Sequence, residues 1–139
     1  MSGETNLTKL LATMKPFLNT GNYVYCTLGE DATFDWKRPV GLFREKEGIT
    51  VIIDQSYADE LHLDYSFVAS WITLTVHSSL EAAGLTAAFS RALAEEQISC
   101  NVVAAYYHDH IFVPQKDVVR AMDALTRLAK GHYPRATED

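Results

Sequence analysis

Cysteine is nearly missing from this 139-residue chain: there are two, Cys26 and Cys100, both in strand-like surroundings and far apart in sequence. Neither belongs to a CxxC pair, which excludes a zinc ribbon. Two isolated thiols fit reduced residues in a cytoplasmic protein better than a disulfide framework. Basic clusters are missing too. With 12 Lys and Arg against 18 Asp and Glu, the formal charge is −6. A phosphate backbone meets repulsion on such a surface, so no nucleic-acid partner is expected. The longest apolar run, FVASWITLTV, is far too short to cross a bilayer, and no stretch has a signal-peptide layout, so no membrane partner is expected either. A GxSxG nucleophile elbow is also lacking.

What is present is ordinary globular composition, 47% hydrophobic and 22% charged, enough for one domain or two very small ones sharing a core. Leu7, Leu10, Leu11, Met14, Phe17 and Leu18 fall at helical spacing, with Thr5 or Asn6 as N-cap, Gly21 as the stop, and Pro16 straining the last turn. YVYCTL (23–28) reads as a strand, and residues 29–40 show neither period and read as an irregular excursion. GLFREKEGITVIID (41–54) reads as two strands around Glu47-Gly48, the glycine supplying a positive φ. SYADEL is at most a short helix, and SFVASWITLTV (66–76) a long strand. Leu85, Ala88, Phe89, Ala92 and Leu93 form one apolar helical stripe. SCNVVAAYY and HIFVP form a hairpin turning at His108-Asp109-His110. Asp117 can cap a last helix, which Gly131 ends.

The second half is thus strand–helix–strand–strand–helix, most of a split βαβ unit. The first half has the same order with its first helix replaced by a loop. A shift of 62 residues lays Glu47–Val51 over Asp109–Val113 and matches the two hairpins. The expected fold is α+β: two tandem ferredoxin-like halves packed together, the first degenerate. The first would span residues 1–66 with its leading helix, the second 67–134, and 135–139 would be a tail.

In a ferredoxin-like unit the sheet order is 4-1-3-2 and neighbouring strands lie about 4.8 Å apart. The end of the first strand, Val76-His77, should therefore meet the turn at 108–110. A helix begins at the same edge, where Ser78-Ser79-Leu80-Glu81 fits a capping box whose free N–H groups favour an anion. Gly84 in its second turn costs about 1 kcal/mol relative to Ala, which either a bound molecule or tight helix–sheet packing would explain. His77, His108 and His110 form a possible three-histidine metal set, set against a plain polar hairpin tip. His77 with Asp109 could make a carboxylate–imidazole pair beside Ser78 or Ser79, but Ser78 already has a role as a cap. Tyr106 and Tyr107 cannot both face the core, so one meets the other half, a second subunit or a ligand.

The stretch ITLTVHSSLEAAGLTAAFSRALAEEQISCNVVAAYYHDHIFVP resembles the ACT-domain superfamily, specifically a group of small bacterial stand-alone tandem ACT-like proteins similar to the regulatory region of aspartokinases. LTKLLATMKPFLNTGNYVYC and FREKEGITVII fit the same group, so the resemblance covers nearly the whole chain. It implies a regulatory module binding a small molecule, an amino acid or related carboxylate, with no cofactor and no catalytic activity. Its effect would pass to a partner, and homodimerisation is expected. The implied ligand loop is His77, Ser78, Ser79, Leu80, Glu81, Ala82, Ala83, Gly84 and Leu85, with Tyr107, His108, Asp109 and His110 as the facing rim. The Asp-x-Pro-Gly pattern common at this loop in ACT domains is replaced here by His-Ser-Ser-Leu-Glu. A metal-binding protein and a pure assembly module are the competing readings.

Overall fold

The computed structural model describes the backbone of residues 2–75 and 82–131, and side chains over 7–75 and 84–131. The chain divides into two compact units: a central one, Thr20–Ser70, and a terminal one made from Met1–Asn19 with Trp71–Asp139. Both are α+β, and each follows the ferredoxin-like strand plan.

The central unit holds β2 (Tyr23–Leu28), β3 (Gly41–Arg44), β4 (Ile49–Asp54), α2 (Gln55–Glu60) and the start of β5 (Val68–Thr75). Its strands run in the order β3-β4-β2-β5, with β2 antiparallel to both β4 and β5. Counted from β2 this is 4-1-3-2, as expected. Alternate residues Val24 and Cys26 of β2, with Ile49, Val51 and Ile53 of β4, point into a core closed by Tyr57 and Ala58 of α2. Asp54 caps α2: its carboxylate accepts the Tyr57 amide proton.

Residues 29–40 are irregular but anchored. Phe34 lies against Trp36 at 4.9 Å and against Tyr57 at 5.3 Å between ring centroids. The Asp35 amide donates to the Tyr57 hydroxyl at 3.1 Å, and the Arg38 guanidinium sits 3.9 Å over the Tyr57 ring while pairing with Asp54.

The terminal unit holds α1 (Ser2–Thr13), β1 (Lys15–Leu18), the rest of β5, α3 (Ala82–Glu95), β6 (Asn101–Ala104), β7 (Asp109–Pro114), a 3₁₀ turn at Gln115–Asp117 and α4 (Val118–Ala129). Its order is β1-β5-β7-β6, again 4-1-3-2, with β1 in the fourth place. The sequence predicts a first helix reaching Leu18, but it stops at Thr13. Pro16 lacks an N–H and disfavours helical geometry in the residue before it, and Lys15–Leu18 instead pair antiparallel with Ile72–Thr75. The leading segment, assigned by sequence order to the first half, packs into this second unit. Leu10, Leu11 and Met14 share one core with Ile72, Leu74, Leu85, Phe89, Leu93, Ile111, Val113, Leu125 and Leu128. Asp117 precedes α4 as expected, but makes no side-chain cap; its carboxylate pairs with Arg120 and Lys116 instead. Gly131 has φ +90° at the end of α4.

Two hairpin expectations need correction. The chain reverses at Tyr106-Tyr107, and Asp109 and His110 already belong to β7, paired with Ala104 and Val103. The shift relating the two hairpins is 60 residues, carrying Gly41–Arg44 onto Asn101–Ala104 and Ile49–Asp54 onto Asp109–Pro114. The turn hydrogen bonds correspond as well: Glu45 N–H to Gly48 O at 2.9 Å, and Ala105 N–H to His108 O at 3.0 Å. A two-residue slip preserves strand alternation, so the residue pattern alone does not separate 60 from 62. Gly48 does not adopt a positive φ. It is needed for close approach, because a Cβ there would meet Thr27 Oγ1 at 2.8 Å and Leu28 O at 3.2 Å.

Candidate functional site

The rim foreseen between the first strand and the hairpin lies in the terminal unit. Of its expected members, His77, Ser78, Ser79, Leu80 and Glu81 fall outside the described residues, as do the side chains of Ala82 and Ala83. The described members separate into two groups by strand alternation. In β7, Ile111 and Val113 point into the core beneath α3 and α4, so Asp109 is on that helix-covered face. His108 and His110 take the opposite face with Phe112. Asp109 is half-buried and makes no ion pair among the described residues.

On the opposite face the polar groups form one relay. Asn19 donates to Thr73 Oγ1 at 2.9 Å, and Thr73 Oγ1 lies 3.1 Å from His110 Nδ1. Trp71 Nε1–H donates to the same Nδ1 at 3.0 Å. Since the indole has only a proton to give, Nδ1 must be the bare acceptor and the imidazole proton sits on Nε2. Burial pushes the His110 pKa below its ordinary 6.5, the neighbouring His108 adds to that, and Asp109 opposes it. His110 is therefore neutral at pH 7 and braces β7 against β5. His108 Nδ1 is enclosed and has no hydrogen-bond partner among the described residues.

No group of three potential metal ligands occurs among the described residues. The rings of His108 and His110 stand 6.4 Å apart, and one nitrogen of His110 is already occupied. Tyr106 and Tyr107 are 93% and 79% exposed and meet edge-to-face at 4.9 Å, so the hairpin tip presents two aromatic rings outward. Leu85 is fully buried in the core. Gly84 is looser than tight packing requires, since a Cβ there would find only Leu7 Cδ1, at an ordinary 3.9 Å. Burial raises the thiol pKa of Cys26, with Asp59 and Asp64 adding to it, and pushes that of Cys100 to about 11. Neither is a reactive thiolate.

Sequence reasoning placed Trp71 in sheet-face packing with Phe112, against which it stacks at 6.2 Å, but missed its hydrogen bond to His110, and missed Thr73 and Asn19. Their spacing carries no motif; only the β1–β5 register and the β5–β7 adjacency bring them to His110.

ACT-domain family profiles match the chain twice, over residues 2–70 and over residues 66–127. No curated protein matches. Among solved structures, a protein of unknown function from Vibrio cholerae, described as a possible transport protein, is 45% identical with a TM-score of 0.82, over 91% of this chain and 98% of its own. A protein from Agrobacterium tumefaciens is 17% identical with a TM-score of 0.63, over 84% of this chain and 89% of its own. A putative C-terminal regulatory domain of aspartate kinase from Porphyromonas gingivalis is 14% identical with a TM-score of 0.53, over 82% and 95%. The last two share the fold.

Proposed function

Because the chain belongs to the ACT-domain family, as two tandem halves, we propose that it is a regulatory module that binds an amino acid or related carboxylate and has no catalytic activity of its own. ACT domains in general are small-molecule-binding regulatory modules. The observation that carries the finer reading is the side taken by Asp109. It is a half-buried carboxylate on the face that α3 covers, and it makes no ion pair among the described residues. A ligand carboxylate would meet the backbone N–H groups of Ser78–Leu80, where the positive end of the α3 dipole favours an anion. Its ammonium group would meet Asp109, and Gly84 would make room for it. His108 and His110, on the other face, would hold the strands rather than the ligand. No helix among the described residues is long and apolar enough to cross a membrane; in this proposal the module works in the cytoplasm, through a partner or as a homodimer.

Thermal-shift screening against the proteinogenic amino acids tests this. One or a few should raise the melting temperature, since a ligand at 100 times its Kd stabilises by about 2.7 kcal/mol. Asp109→Asn should abolish that response while His110→Gln keeps it. No shift with any amino acid at millimolar concentration would contradict the reading.

A further inference from the structure

Trp71 of β5 and His110 of β7 meet on the sheet face opposite α3 and α4, on strands that are neighbours in the sheet. The Trp71 backbone is pinned: its carbonyl accepts from the Asn19 amide at 2.9 Å and from the Asn19 side chain at 3.2 Å. The ring stacks on Phe112 at 6.2 Å between centroids, and its N–H is spent on His110 Nδ1 at 3.0 Å. The two groups around that nitrogen differ in what they can do. Thr73 Oγ1, 3.1 Å away, can donate or accept, and has a second lone pair beside the one that Asn19 uses. The indole can only donate. A proton on Nδ1 therefore keeps the threonine as a partner and sets the indole N–H against another N–H. Among the described residues, the titratable neighbours are on β7 itself: His108 on the same face, its ring 6.4 Å away, and Asp109 on the other face. The groups that β5, the segment after β1 and β6 bring to His110 are Trp71, Thr73, Asn19 and Val103, all uncharged.

We propose that Trp71 and His110 form a proton-operated latch between β5 and β7, closed while Nδ1 is bare and opened when Nδ1 takes a proton. The proton comes from solvent and stays on the imidazolium, whose Nδ1–H then donates to Thr73 Oγ1. The Trp71 side chain turns its N–H away, and because the residue is only half-buried, water can receive it. The backbone stays in place on Asn19, so the change is confined to the ring and removes one brace between the strands. Burial of His110 and the nearby His108 both disfavour the imidazolium and outweigh Asp109. The latch is therefore closed at neutral pH and opens below the ordinary histidine value of 6.5. It gives an acid response to β7, the strand that also carries Asp109, and it needs no ligand, so it stands apart from the proposed amino-acid rim.

An NMR titration of the intact, isotope-labelled protein from about pH 8 to about pH 5 tests it. The chain has two tryptophans, and Trp36→Phe assigns their indole N–H signals. The Trp71 signal should shift with the same midpoint as the His110 ring, below 6.5. In His110→Gln, whose side-chain oxygen accepts without titrating, the Trp71 signal should hold its position throughout. His108→Gln should keep the coupled titration and move its midpoint upward, since His108 disfavours the charge. Thr73→Val removes the oxygen that receives the imidazolium proton and should move the midpoint downward. Should His110→Gln fail to fold, the wild-type midpoints and the opposite shifts in the other two variants decide. A Trp71 signal that stays fixed through the His110 midpoint, or that still titrates in His110→Gln, would overturn the proposal. Loss of the titration in His108→Gln would overturn it too, by putting the proton on the other histidine.

Discussion

In the terminal unit, α3 and α4 supply Leu85, Phe89, Leu125 and Leu128 to the core around Ile111 and Val113, all at or near zero exposure. In the central unit, residues 29–40 stand where a helix would be; Val51 and Ile53, the counterparts of Ile111 and Val113, are also fully buried, while Leu42 on the edge strand is 47% exposed against 36% for its counterpart Val102. The two hairpins share bounds and register at a shift of 60 but not residues, so the difference lies in their side chains and in what covers them. Covering a sheet face with a helix removes apolar area from water and stabilises; leaving part of it open forgoes that gain. In both units the plan closes a core over the inner strand of the hairpin and leaves the edge strand more open.

Mutations can sharpen or break this contrast. The largest effect should come from Phe89→Ala, which empties a fully buried site in the helix-covered core and should cost about 3–5 kcal/mol in urea unfolding. Leu42→Ala, on the more open edge strand, should cost about 1 kcal/mol or less. Equal costs at the two positions would mean that the edge strand is covered after all. Next comes a pH effect confined to the terminal unit. The folded-state pKa of His110 is lowered, so the unfolded chain binds a proton that the folded one refuses. The resulting stability is fully present above the ordinary value of 6.5 and is lost as pH falls from there through the lowered folded value. His110→Gln should flatten the stability profile in that window. The Asp54 carboxyl of the central unit responds lower on the scale. Burial alone would raise its pKa, but hydrogen bonds from Ser56, Arg38 and the Tyr57 amide, with the Arg38 charge, outweigh burial and lower it. Its contribution is present above the ordinary carboxylate range and lost as pH falls through the lowered value. The smallest change should be a gain: Gly84→Ala fits the available space and should stabilise by up to about 1 kcal/mol in the same unfolding assay. It should also weaken any ligand held against α3.

Much of the fold was legible because its signals are local. The alternation in YVYCTL, the paired hairpins, and the apolar stripe from Leu85 to Leu93 each name their element without tertiary help. The end of α1 was not legible. Phe17 and Leu18 satisfy the helical period, yet Pro16 and the free edge of β5 draw them into a strand. The turn at Tyr106-Tyr107 was missed because His-Asp-His looks more turn-like than two tyrosines, and a two-residue slip leaves every side chain on its own face. At the rim, Asp109 and the two histidines could be named but not assigned to faces until the turn was placed. The latch was invisible: Trp71, Thr73 and His110 share no motif and meet only because β5 and β7 are neighbours in the sheet.

The most direct measurement of whether the rim holds a ligand is a backbone amide NMR titration of the intact protein with the proteinogenic amino acids. Saturable shifts are expected at Gly84 and Asp109. Amide resonances at these positions that stay unmoved to millimolar ligand would contradict the account.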